Sequence, residues 1–269
     1  MKATKRLKAG LIVLISFLIY YILFQYFGVV KTHLDRITHV GIVSYILTYV
    51  LIGIPIFIGT YLINGNSNVL ADLGLGKGIV QGIAMALLFA TPMLLGGLLF
   101  FQLHKDLEPE QLIASTLVAG LAEELFFRGF LFGQLFRHTP LGFLPSILGG
   151  AIIFAVGHLY QSKELSELIG VFAVTFLGAI LFAWLYVEWN FNLWVPLFMH
   201  TFMNLAWALF DMAPNAGGHV NSNMLRALTI ILAIATTILY RKRRLGKMAV
   251  NRSTLWWQSA YPKTDVTKQ

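Results

Sequence analysis

The sequence predicts an all-α integral membrane protein, a polytopic bundle of about eight transmembrane helices forming one membrane domain over residues 1–269. Three observations carry that prediction. The 269 residues are 57% hydrophobic and only 12% charged, whereas soluble globular chains carry about 25% charged residues. Eight apolar runs long enough for a bilayer are joined by short polar connections. Basic residues gather outside the first and last of these runs.

In chain order the runs cover 11–30, 41–63, 79–101, 112–134, 144–160, 168–188, 190–210 and 225–240. The first follows Lys2, Lys5, Arg6 and Lys8 as a secretory signal would. It is long for one and no small-residue cleavage site follows, so it is expected to stay as a span. Pro92 and Pro196 fall inside the third and seventh runs, where each is expected to kink the helix or free a carbonyl. A kink at Pro196 would aim His200, four residues on. Trp184, Trp189, Trp194 and Trp207 stand near run ends and read as interfacial anchors.

Eight spans place both termini on one side. That side holds 14 basic residues against 5 on the other, with Arg128 inside a span. The positive-inside rule then makes both termini cytoplasmic in a plasma membrane. Arg241, Lys242, Arg243, Arg244 and Lys247 read as anchors near anionic lipid rather than a nucleic-acid site. The expected partners are membrane lipid and a peptide or lipidated peptide, with no nucleic acid. There is no cysteine, which excludes disulfides, thiolate zinc sites and a cysteine nucleophile.

An ionisable side chain at mid-span costs about 2.5–3.5 kcal/mol on insertion scales, so its presence calls for a function. Three runs carry polar groups at that depth. In the fourth, Glu123, Glu124 and Arg128 stand together. On an α-helix, Glu124 and Arg128 lie about 40° apart and can pair, while Glu123 and Arg128 lie about 140° apart. Glu123 is left as the free carboxylate, suited to act as a general base. In the fifth run Phe154 and His158 share a face, and in the seventh His200 and Asn204 do.

Glu123 with His158 can polarise a water, and His200 with Asn204 can hold a developing oxyanion. One Glu and two His are equally a catalytic zinc set, here Glu123, His158 and His200 assembled across helices, since no HExxH motif is present. The residues alone leave both mechanisms open. They also leave a non-catalytic binding protein whose polar cluster only joins helices, and a proton-relaying transporter. The last is disfavoured because no inverted repeat is visible. His33, His39, His104, His138 and His219 fall in loops or at run ends and are expected to be solvated.

The motif order EE-x3-R, F-x3-H, H-x3-N over residues 112–210 resembles the CPBP family, the type II CAAX prenyl proteases and the bacterial bacteriocin-processing or self-immunity proteins often called Abi proteins. The resemblance implies an intramembrane endopeptidase. Its prenyl-protein members cleave a C-terminal CAAX tail, while bacterial members are linked to peptide maturation or bacteriocin immunity. It further implies Glu123 as base with His158 its partner, His200 and Asn204 on the oxyanion, Glu124, Arg128 and Phe154 in support, and a metal-free glutamate mechanism with no cofactor. No acid is evident in the sequence behind the histidines, as a zinc site would want.

Overall fold

A computed structural model describes residues 3–65 and 68–258. Lys2, Lys263 and Lys268, counted above among the basic residues, lie outside the described residues. The described residues are almost wholly helical; an isolated bridge between Leu141 and Trp257 is the extended pairing among them.

Helix α1 (Ala3–Phe24) is followed by α2 (Phe27–Thr38), α3 (Gly41–Ile52), α4 (Ile54–Asn64) and the short α5 (Val69–Asp72). Next comes α6 (Ile79–Phe100). The polar fourth run then lies on one winding path made of α7 (Pro109–Ile113), a π-helical turn (Ala114–Val118), α8 (Ala119–Glu123), a second π-helix (Glu124–Phe132) and α9 (Gly133–His138). Helices α10 (Phe143–Val156), α11 (Leu165–Glu188), α12 (Trp194–Leu209) and α13 (Val220–Leu245) complete the bundle. α12 packs on α6, α10 on α11, and α1 on α4.

Close approach of these helices rests on small residues, as in other membrane bundles. A Cβ on Gly59 of α4 would stand 2.5 Å from Ser16 Oγ of α1, and one on Gly97 of α6 would collide with the Phe210 ring. Around the polar run the core is aromatic. Phe17 and Tyr20 of α1 meet Phe127 and Phe126 at ring separations of 5.2 and 4.8 Å.

The count of spans differs from the eight apolar runs. Among the described residues five helices are long and apolar enough to cross a membrane, or six if α3 and α4, bent by 42°, form one broken span. The fourth run falls short because Glu123, Glu124 and Arg128 interrupt its apolarity and π turns interrupt its winding. The seventh falls short because α12 is only 16 residues. The first span ends at Phe24, and residues expected to continue it form α2 instead.

Other sequence expectations change too. Pro196 sits in the first turn of α12, where a proline is tolerated and causes no kink. Trp189 is buried, donates to Thr237 Oγ1 at 3.0 Å and stacks on Tyr240, so it joins α11 to α13 rather than marking an interface. Arg241 is no free lipid anchor. It is buried against Glu188 at 2.9 Å. Glu188, fully buried, also accepts from the backbone N–H groups of Ala249 and Val250. The chain after α13 thereby folds back, and the carbonyls of Thr254, Leu255 and Trp256 receive the otherwise unpaired N–H groups of Phe143, Leu144 and Gly142 at the start of α10. His138 is half-buried rather than solvated, and burial beside Arg137 pushes its imidazole down to about 4.

Candidate active site

The three polar motifs meet on one cavity of about 1170 Å³, lined by Glu123, Arg128, Phe154, His158, His200 and Asn204 among others. Glu124 does not line it. Its carboxylate is wholly buried between two partners, Arg128 Nε at 3.3 Å and His200 Nδ1 at 2.9 Å. A carboxylate cannot stay ionised in such a place without compensation, and the two cations or donors supply it.

Glu123, one residue earlier, turns the other way. Its side chain is 25% exposed, and Oε2 stands 3.8 Å from His200 Nε2. The two glutamates thus bracket one imidazole from its two nitrogens. Nδ1–H donating to Glu124 fixes the ring's orientation and leaves Nε2 facing the cavity. The ring face is held by Phe182, stacked at 5.2 Å.

The local backbone explains this division. Glu124 begins a nine-residue π-helix, whereas Glu123 ends an α-helical segment. π turns inside α-helices recur at functional sites. The reach from Glu124 to Arg128 is therefore made over a widened turn, not the α-helical turn assumed from spacing. The Arg128 guanidinium lies over the Phe154 ring at 4.4 Å, with Phe182 beyond it at 5.6 Å.

His158 lies just past the end of α10, in the turn before Leu159. Its Nδ1 is 2.7 Å from the Phe154 carbonyl and its ring 4.5 Å from the Phe154 ring. A carbonyl only accepts, so Nδ1 carries the proton and Nε2 is left as an acceptor. Among the described residues no hydrogen bond or ion pair joins His158 to Glu123; the two share the cavity without direct contact. Asn204 lies one turn beyond His200 on α12 and lines the same cavity.

Glu124 is the acid behind His200 that the sequence did not reveal. Among the described residues, however, no three His, Asp or Glu side chains gather closely enough to hold a metal ion. Glu123, His158 and His200 as placed do not fit a zinc centre.

Two parts of the cavity wall were not foreseen. Tyr20, Phe24, Phe27, Tyr45 and Tyr49, from α1 to α3, line it with aromatic rings. The spacing of Tyr45 and Tyr49 at i,i+4 was an available signal for a shared face. Arg226, at the start of the last apolar run, is buried in α13 and lines it too.

Residues 107–206 match a family model described as type II CAAX prenyl endopeptidase Rce1-like. A curated protein of Bacillus subtilis (strain 168), "Putative membrane peptidase YdiL", is 31% identical over 106 residues, which is 39% of this chain and 39% of that protein. The match thus spans about two fifths of the curated relative's length. No solved structure matches this chain. The polar motifs and the family-model match fall on the same stretch of sequence.

Proposed function

We propose that this chain is an intramembrane endopeptidase that hydrolyses a peptide bond in or beside the bilayer. The observation that carries the reading is the unequal placing of two adjacent carboxylates. Glu124 is sealed between Arg128 and His200, while Glu123 reaches the cavity. One acid builds the site and the other is free to work in it.

In this reading Glu123 takes a proton from a water as the water oxygen attacks the substrate carbonyl carbon. His158, with Nε2 as acceptor, orients that water from its place on the same cavity. His200 Nε2, once it carries a proton, and the Asn204 amide donate to the oxygen on which negative charge develops. Collapse of the tetrahedral intermediate breaks the C–N bond, and Glu123 returns its proton to the leaving amine nitrogen. Arg128 and Glu124 keep the His200 ring in place. The cavity is large enough for a peptide segment, since drug-sized ligands occupy roughly 300–1,000 Å³.

The substrate is a peptide of the CAAX type or a leader peptide, met in the plasma membrane with both termini of the enzyme cytoplasmic. The test is cleavage by the purified protein in liposomes of a prenylated CAAX peptide and a panel of leader peptides, with and without chelator. Cleavage that is unchanged by chelator supports the glutamate mechanism. Loss on chelation that zinc restores would overturn it in favour of a metal, and no cleavage across the panel by the folded protein would count against a peptidase.

A further inference from the structure

Arg226 is the cavity's unexplained charge. Only 8% of it is exposed, although it sits where the proposed chemistry makes no use of it. Its guanidinium lies 4.1 Å over the Trp207 ring, and Nη1 donates to the Ala216 carbonyl at 2.9 Å. Among the described residues no carboxylate pairs with it. Glu167, whose partner Asn215 is next to Ala216, is engaged by Ser162 and by the Asn215 amide at 2.6 and 2.8 Å.

The surroundings of Arg226 are firmly built. Trp207 Nε1 donates to the Ala213 carbonyl, the Ala216 N–H to Gln161 Oε1, and the Asn223 amide to the Gly217 carbonyl. Two turns of α12 separate Trp207 from His200, about 10 Å along the axis. Arg226 and the catalytic cluster therefore stand apart on one continuous cavity. Burying a cation without an anion is costly, so the site favours a ligand that brings one. A rigid, aromatic-backed guanidinium on the cavity wall suits a planar carboxylate, which its fork can grip with two parallel hydrogen bonds.

We propose that Arg226, backed by Trp207 and held by the Ala216 carbonyl, is a specificity subsite that binds a carboxylate carried by the peptide ligand. This rests on the reading of the cavity as a peptide site. The test reads binding, not cleavage, on full-length protein carrying Glu123→Gln, so that it stands apart from whether the enzyme turns over. The probes are a short apolar fluorescent peptide with a free C-terminal carboxylate, the same peptide amidated, and the amide with one aspartate near its end.

The expected result is that one or both acidic peptides bind about ten-fold or more tightly than the plain amide, the scale of a charge-assisted hydrogen bond. Which acid is preferred identifies the terminal or side-chain carboxylate as the group read. Arg226→Gln should erase the preference while leaving binding of the amide unchanged, which also shows the variant is folded. Arg226→Lys should keep part of it. Equal binding of all three peptides, no binding of either acidic peptide, or a preference that survives Arg226→Gln would overturn the proposal. So would loss of the preference when the protein is held in nanodiscs containing phosphatidylglycerol, which would assign Arg226 to a lipid headgroup.

Discussion

Glu123 and Glu124 are the same side chain one residue apart, and their surroundings give them different work. Glu124 holds two partners in a site from which water is excluded. Removing it leaves Arg128 buried without a counter-charge and His200 without an anchor. Glu124→Ala should therefore destabilise the protein by about 3–5 kcal/mol, the cost of breaking a buried pair. Thermal unfolding in detergent reads this loss, and Glu124→Gln should recover part of it by still accepting from His200. Unchanged stability in Glu124→Ala would show that the pair does not hold the helices. Spacing made the Glu124–Arg128 pairing legible in the sequence, because i,i+4 partners are local. The Glu124–His200 hydrogen bond was not legible. It joins residues 76 positions apart, and no local pattern encodes which histidine a second carboxylate will meet.

At the scale of elements, the polar run is wound as alternating α and π segments, while the purely apolar runs make plain α-helices. Apolar periodicity identified each run as helical but carries no signal of hydrogen-bond offset, so the π turns were hidden. The basic stretch that closes α13 and runs on past it was misread for a similar reason. Its arginines and lysines look solvated in isolation, yet Glu188 at the end of α11 is wholly buried and draws Arg241 and two backbone N–H groups onto itself. Glu188→Ala should release residues 248–258 from the start of α10. Limited trypsinolysis should then cut at Arg252 several-fold faster than in the wild type, with little change in the fold of α1 to α12. An unchanged cutting rate would mean that the segment is held by its other contacts.

For the whole molecule, composition and long unbroken apolar runs were sufficient to give an all-α membrane bundle, since lipid admits only helices and closed barrels and barrel strands alternate apolar with polar residues. Length along the sequence was a poorer guide to which runs cross. A 16-residue α12 and a charged, π-wound fourth run need neighbours on every side to sit at membrane depth. The proposed orientation can be checked directly because the chain has no cysteine. Lys5→Cys and Lys247→Cys, made singly, should react with an impermeant maleimide from the same, cytoplasmic side. Labelling from opposite sides would require an odd number of crossings and a different membrane arrangement of the site.

The central claim is that Glu123, not Glu124, is the working carboxylate. The most direct measurement is the cleavage rate of Glu123→Gln beside its thermal stability, against wild type on any peptide the wild type cleaves. The account predicts loss of at least about a hundred-fold in rate, the scale of general-base catalysis, with the unfolding temperature nearly unchanged because the side chain is partly exposed and carries no buried pair. Near-wild-type cleavage by folded Glu123→Gln would contradict it.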